Sequence, residues 1–360
     1  MKICAFSGTI FKAGFFCRGG YFMSILVTGG TGFIGSHTCV ELLEAGYDLV
    51  VFDNFTNSKP SVIDKIVDIT GKGFKFYHAD MADKNSLERI FSENDIDCVI
   101  HFAGYKAVGE SVEKPLMYYQ NNITGTLNLL ETMSGHNVKR IVFSSSATVY
   151  GIPKSVPITE DEPLSVTNPY GRTKLMIEDI LRDLYVSDNS WAIILLRYFN
   201  PVGGHPSGLL CEDPNGIPNN LMPRILDTAF GKQDKISVFG NDYPTVDGTG
   251  VRDYIHVLDL AKGHVKAVER IMRVNDIQAI NLGTGRGYSV LELIRTFEEV
   301  NNVKVPVEFA PRRPGDVAEC YADTRKAFEM LGWKAELGVT EMCRDSYKAR
   351  LMLEHGCDEK

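Results

Sequence analysis

The chain has 360 residues, 44% of them hydrophobic, enough to bury a full core and to form two domains, or one domain with a large annex. A formal charge of -8 and a pI near 5.6 argue against a nucleic-acid partner, although a local basic pocket for one small anion is compatible with that total. The eight cysteines form no C-x-x-C pair, which suits a reducing compartment without disulfides or zinc. No apolar run approaches the roughly 20 residues of a membrane span, so a soluble, cytoplasmic protein is expected.

Residues 1–22 carry Lys2, Lys12 and Arg18 but no acid, which allows either a weak targeting segment or an extended start. A lysine interrupts their apolar stretch and Met23 directly precedes the first clear strand, so a dispensable leader is the preferred reading. From Ser24, strand-like runs alternate with helical patterns: "ILVTG", "HTCVELLEAGY", "LVVFD", "KFYHAD", "SLERIFSEN", "CVIHFAG", a long helix from about Ser111 to Met133, then "RIVFSSS". Short apolar β-rich runs between helices, with few hairpin signals, predict an α/β fold: a doubly wound, Rossmann-type parallel sheet with crossover helices. A helix at Tyr170 and the strand "WAIILLRYF" extend it to about residue 200. Beyond Asn200 the texture turns rich in Pro and Gly, "PVGGHPSGLLCEDPNGIPNN", and then mixed. The division expected is a dinucleotide-binding domain over 23–200 and a smaller mixed α/β, mainly substrate-binding region over 201–360.

"VTGGTGFIGSH" sets Gly29, Gly32 and Gly35 between a strand and a helix, and Asp53 ends the next strand 18 residues past Gly35. Glycines at that turn let the backbone approach a pyrophosphate, whose charge meets the helix N-terminus, while a carboxylate at Asp53 accepts from ribose hydroxyls. A 2′-phosphate would face that carboxylate. The cofactor expected is NAD and not NADP.

"NPYGRTKLMIEDI" places Tyr170 and Lys174 on one face of an amphipathic helix, about a turn apart behind Pro169. A free phenol, with a pKa near 10, is a poor base at neutral pH, and an adjacent ammonium together with a cationic nicotinamide would favour the phenolate. Tyr170 is then a usable acid/base, Lys174 also bonds the nicotinamide ribose, and Ser146, ending "RIVFSSS", orients the reacting hydroxyl. Alone, Y-x-x-x-K is more often an aromatic rim residue and a solvated lysine; the glycine loop upstream reverses that. The eight histidines show no metal-ligand spacing, and "NLGTGRGYSV" near Asn281 reads as a structural turn.

The order TGGTGFIG, Asp53-Asn54, "HFAGYKAVGES", "SSSATVYG", "NPYGRTK" resembles the extended short-chain dehydrogenase/reductase superfamily. With "LLRYFNPVG", "GIPNNLMP", "FGNDYPTVDGTGVRDYIHVLDLA" and "FAPRRPGD", the run from about Ser24 to Trp333 is similar to the UDP-glucose 4-epimerase family. That resemblance implies a tightly bound NAD regenerated in each turnover, and inversion at C4 of the sugar through a 4-keto intermediate. It implies catalytic Tyr170, Lys174 and Ser146, and assigns Phe33, Ile34, Asn54, Asn57, Ser58, Asp80, Met81, Phe102, Ala103, Gly104, Lys106, Asn121, Tyr198 and Phe199 to the cofactor shell, with Asp80 and Met81 also plausible as strand-end residues. For the UDP-sugar it implies Arg252 and Arg313 at the diphosphate, with Asn200, Asn220, Leu221, Phe239 and Asp316 around them. Cys320 falls where the family carries a gate beside the sugar 2-substituent; a small residue there implies turnover of the N-acetylated pair, UDP-GlcNAc and UDP-GalNAc, as well. A homodimer is implied too. Two rivals share the scaffold: a nucleotide-sugar 4,6-dehydratase, which needs an acid/base pair where this chain has Ala147 and Thr148, and a NAD-sensing regulator, which could dispense with Tyr170 and Lys174.

Overall fold

Alternation along the strand runs explains the first half of the molecule, because successive side chains enter two different apolar layers. The structure is a computed structural model that describes residues 23–355 apart from 217, 219 and 314; the expected leader lies outside the described residues. The strands are β1 (Ser24–Thr28), β2 (Asp48–Asp53), β3 (Lys75–His78), β4 (Cys98–His101), β5 (Arg140–Ser146), β6 (Ala192–Tyr198), β7 (Asn200–Val202), β8 (Ile236–Phe239), β9 (Val251–Arg252), β10 (Tyr254–His256), β11 (Ile277–Leu282), β12 (Tyr288–Ser289), β13 (Val307–Ala310) and β14 (Glu319–Cys320). The helices are α1 (Phe33–Glu44), α2 (Ser61–Thr70), α3 (Lys84–Ser92), α4 (Val108–Glu113), α5 (Pro115–Tyr118), α6 (Gly125–Gly135), α7 (Pro169–Ser187), α8 (Leu221–Ala229), α9 (Val257–Ile271), α10 (Val290–Asn301), α11 (Arg325–Leu331) and α12 (Val339–His355).

Seven strands form one parallel sheet in the order β11-β6-β5-β4-β1-β2-β3. Ile25 and Val27 of β1 pack with Val40 of α1 and with Leu260 and Val268 of α9 on one face. Leu26 joins Leu87 of α3, Leu129 of α6, and Ile177 and Leu181 of α7 on the other. The winding direction reverses between β1 and β4, so the glycine turn after β1 opens at the switch point where such sheets bind ligands.

Two expectations are corrected. The helix predicted from Ser111 to Met133 is broken: Pro115 forces Lys114 out of the helical region (φ -128, ψ 55), and a π-helical turn over Tyr119–Thr124 follows before α6. The sheet also crosses the boundary expected at residue 200. β11 pairs with β6 from Ile277 against Ile193 to Leu282 against Tyr198, and α9 packs on α1. The Pro/Gly-rich texture after Asn200 marks long loops, and the fully buried β6 is covered on its outer edge by a strand from the C-terminal half. A second core, with Ile225 of α8, Val238 of β8, Phe297 of α10 and Met342 of α12, holds the smaller region.

β5, β6 and α7 are joined by a buried ionic network. Glu178, with no exposed surface, accepts from Arg197 Nε (3.0 Å) and Nη2 (2.7 Å), from Arg182 (2.6 Å) and from Ser145 (2.5 Å). Arg197 also donates to the Tyr150 hydroxyl (2.9 Å), which donates to Asn281 of β11 (2.7 Å). Burial opposes ionisation of Glu178, but Arg197 and the other donors hold its carboxyl below the usual range. Removing one member of such a pair leaves a buried charge uncompensated. Arg197→Met should therefore cost about 3–5 kcal/mol of unfolding free energy in urea; a loss below about 1 kcal/mol would show that the pair does not hold these elements together.

Candidate active site

The glycine turn leaves space only for backbone. Gly29 has φ +68, and a Cβ there would lie 2.8 Å from the Ala103 nitrogen; a Cβ at Gly35 would lie 2.3 Å from the Gly29 carbonyl oxygen. α1 begins at Gly32 with no side-chain cap, so its first-turn N–H groups remain available to an anion. Phe33 and Ile34 form that first turn. Across the turn, Asp53 accepts from Thr31 N (3.2 Å), Phe55 N (2.9 Å) and Ser58 Oγ (3.2 Å). The carboxylate is thereby fixed with acceptor capacity left for ribose hydroxyls. Asn54 donates to Asp80 (2.7 Å), Met81 is buried against Gly125, and Phe102, Ala103 and Gly104 follow the end of β4. Asn121 donates to Asn122 (2.9 Å) and Lys106 to Glu212 (2.9 Å). Tyr198 is turned inward with its hydroxyl on His264, so only its main chain can serve a ligand at the strand end, beside Phe199.

Asn168 caps α7 by accepting from Gly171 N (2.8 Å), with Pro169 in the first turn, and this sets the exposed edge of the helix over the end of β5. Three consecutive serines of β5 then meet three residues of α7 spaced four apart. Ser146 neighbours the Tyr170 phenol and favours its ionised form, Ser144 accepts from Lys174 Nζ at its carbonyl (2.6 Å) and hydroxyl (3.4 Å), and Ser145 donates to Glu178. Lys174 is buried, 4.8 Å from the centroid of the Phe143 ring, and burial lowers its pKa to about 7.

The electrostatics differ from expectation in one respect. Burial raises the Tyr170 pKa, with the Ser146 hydroxyl acting the other way; Lys174 points at Ser144 and does not by itself favour the phenolate. The free protein therefore presents a neutral phenol at neutral pH, and a further positive charge near it would favour the phenolate.

Two residues here escaped the sequence reading. Asn122, buried in the π-helical turn, accepts from Tyr105 N (2.8 Å) and donates to Tyr105 O (3.1 Å) and to Thr173 Oγ1 (3.0 Å), tying the loop after β4 to α7. π-Turns inside helices recur at functional sites, but "YYQNNITGT" gives no local signal for one. Thr148 Oγ1 is buried without a hydrogen-bond partner, facing Gly171. An orphaned hydroxyl beside Ser146 and Tyr170 suits a polar ligand.

The C-terminal half contributes a second wall. Arg252 Nη2 lies 3.5 Å from Asp316, and Arg313 stacks 3.8 Å from the centroid of the Phe239 ring, with Asp316 N bonded to Arg313 O (3.2 Å). Asn200 is set beside them by its backbone bond to Asp253 (2.9 Å). Asn220 and Leu221 begin α8, and the Asn220 amide donates to Glu212 (2.6 Å). The second glycine-rich turn is structural, as read: Thr284 N and Oγ1, Gly285 N and Ala322 N all donate to buried Asp253. Cys320 pairs with Arg252 across β14 and β9 and packs with the cluster of Val149, Leu175 and Phe199, while Tyr321 lies over Gly287. Cys320, and not Tyr321, therefore lies directly across from Arg252. Among the described residues no cluster of His, Cys, Asp or Glu could hold a metal ion, and no helix is long and apolar enough to cross a membrane.

A family model described as GDP-mannose 4,6 dehydratase matches residues 26–346. The UDP-glucose 4-epimerase of Bacillus subtilis is 61% identical over 326 residues, covering 91% of this chain and 96% of that protein. The crystal structure of the UDP-glucose 4-epimerase from Bifidobacterium longum in complex with NAD+ and UDP superposes with a TM-score of 0.90 at 55% identity, covering 93% of this chain and 100% of that one. The Stenotrophomonas maltophila UDP-glucose-4-epimerase, with bound NAD and formylated UDP-arabinopyranose, gives 0.90 at 48%, covering 92% of this chain and 99% of that one. The chain belongs to the UDP-glucose 4-epimerase family. Where a dehydratase needs its acid/base pair, Ala147 and Thr148 offer no carboxylate.

An unfolded lysine keeps its proton to about pH 10.5, whereas folded Lys174 loses it near 7. Between those values the unfolded chain binds more protons, so stability rises with pH; below pH 7 the full cost of burying the cation is present. Ligand-free Lys174→Met should be more stable than the parent at pH 7, with that advantage shrinking by about 2–3 kcal/mol at pH 9.5. Urea unfolding at both pH values checks this, and a pH-independent difference would refute it.

Proposed function

We propose that this enzyme interconverts UDP-glucose and UDP-galactose by inverting C4 of the sugar, with one resident NAD. The reading rests chiefly on one observation: Ser146, Tyr170 and Lys174 are held together at the sheet's switch point, beside a glycine cradle that a Cβ would fill. Gly29, Gly32 and Gly35 with the open end of α1 would take the pyrophosphate, and Asp53 the adenosine ribose, excluding a 2′-phosphate. Phe33, Ile34, Asn54, Asn57, Ser58, Asp80, Met81, Phe102, Ala103, Gly104, Lys106, Asn121, Tyr198 and Phe199 complete that shell. When bound, NAD accepts a hydride from C4 and returns it to the opposite face.

The chain's own part is proton transfer and orientation. Ser146 and Thr148 orient the C4 hydroxyl toward Tyr170, which takes its proton and later gives it back. Lys174 would bond the nicotinamide ribose, and the bound cofactor would add the positive charge near Tyr170 that Lys174 alone does not. Arg252 and Arg313 hold the diphosphate, with Asn200, Asn220, Leu221, Phe239 and Asp316 around the nucleotide, so the sugar can turn over while its anchor stays fixed. The exposed apolar faces of Val112, Leu116, Leu127 and Met176 on α4 to α7 suit a homodimer, and a cytoplasmic setting suits the cysteines that are unpaired among the described residues.

Tyr170→Phe should nearly abolish conversion of UDP-galactose to UDP-glucose while UDP binding stays close to the parent value. Retention of more than about a tenth of the activity, a barrier change of only about 1.4 kcal/mol, would remove Tyr170 as the main acid/base.

Cys320, half-buried beside Arg252, is many atoms smaller than a tyrosine and leaves room for a 2-acetamido arm. UDP-GlcNAc and UDP-GalNAc should therefore be interconverted as well. Cys320→Tyr should suppress that reaction and largely spare the unsubstituted pair, because a bulky side chain excludes by overlap. Assays of both pairs in both proteins decide it: no acetylated turnover in the parent, or equal loss of both activities, refutes the gate.

A further inference from the structure

We infer that residues 211–216 form a strap that retains the dinucleotide, an inference that rests on the NAD-dependent reading above. The segment is rooted in the smaller region by a bridge between Gly204 and Cys211 and by the His205 N to Leu210 O bond (2.9 Å). From there it bonds to two loops far away in sequence. At one end Asp213 pairs with Lys59, Asn215 N donates to Asn57 Oδ1 (3.2 Å), and the Asn215 amide donates to the carbonyls of Thr56 (3.1 Å) and Phe55 (3.4 Å). This is the loop leaving β2, directly after Asp53. At the other end Glu212, nearly buried, accepts from Lys106 (2.9 Å) in the loop leaving β4.

Strand order decides what lies beneath. β1 sits between β2 and β4, so a segment bonded to the loops of both passes over the β1–α1 glycine turn. Phe33, in the first turn of α1, lines a small cavity together with Cys211 and Glu212, which places the strap against the same helix end. Glu212 Oε1 also accepts from Asn220 (2.6 Å) at the start of α8, so the closed strap is tied to the substrate side as well. An enzyme that must return to the same sugar the hydride it has just removed loses that turnover if the reduced dinucleotide escapes. A dehydrogenase has no such need. The strap meets it by fastening the loop that orients Asp53 from the outside, without touching the reacting groups.

The test uses the protein as purified, with its dinucleotide. Release is followed by fluorescence after reduction, with excess apo-dehydrogenase added to capture what dissociates, in the parent, Asp213→Ala/Asn215→Ala and Lys59→Ala. The double variant should release dinucleotide about tenfold faster and Lys59→Ala a few-fold faster, reflecting a lost ion pair and lost hydrogen bonds. Added salt should speed release from the parent more than from the variants, because the ion pair is screened. With saturating NAD, turnover of all three should agree within about twofold, which also reports that the variants fold. Release at the parent rate in a folded double variant overturns the strap. A parent that carries no dinucleotide overturns the NAD-dependent reading itself, so the two failures are distinguishable.

Discussion

The register between β5 and α7 is the constraint on which the site depends. Tyr170, Lys174 and Glu178 descend one face of α7; Glu178 is bonded to Ser145 and Lys174 to Ser144, and Tyr170 neighbours Ser146. The lowest of the three is the strongest: Glu178 is gripped by Arg197 through two nitrogens, by Arg182 and by Ser145. A one-residue slip of the helix would strand that carboxylate without partners in the core, at a cost no surface interaction could offset. The ion pair therefore specifies the register, and the register sets Tyr170 against Ser146.

Lys174 shows what this fixing achieves. A lysine free to move would seek water; here its ammonium is held by the Ser144 carbonyl over the Phe143 ring, and burial brings it close to neutrality. Buried His101 nearby is held neutral, at about pKa 3, mainly by burial. The pocket thus contains little positive charge of its own. A phenol in it stays protonated at neutral pH, and a cation brought in by a ligand would favour its ionisation.

Much of this was legible in the sequence because it rests on local spacing. The glycine turn, the position of Asp53 and the Tyr170-Lys174 pair follow from strand, turn and helix periods; the surrounding shell rests on the resemblance alone. What was not legible depends on contacts between distant segments. β11 joins the sheet from beyond residue 200 because β6 is apolar on both faces and needs a neighbour, a fact invisible in the loop composition between them. The broken helix at Pro115 was available from the proline itself and was outweighed by the apolar period around it. Asn122 carries no motif, and the motif holding Thr148 says nothing of its unpartnered hydroxyl; their surroundings are set by Tyr105, Thr173 and Gly171, all brought near by folding.

The substrate wall is organised by a single carboxylate in the same manner. Asp253 is buried and accepts from the turn at Thr284 and Gly285 and from Ala322 N, while its own N–H donates to the carbonyl of Cys320 (3.0 Å). Its chain neighbour is Arg252 and its backbone carbonyl accepts from Asn200 N. Two residues assigned to the fixed end of the ligand and one assigned to the gate are therefore attached to one buried anchor. Burial works to raise the Asp253 pKa while the four donors resist. Asp253 thereby holds Arg252 and Cys320 on one rigid mount and keeps their separation constant.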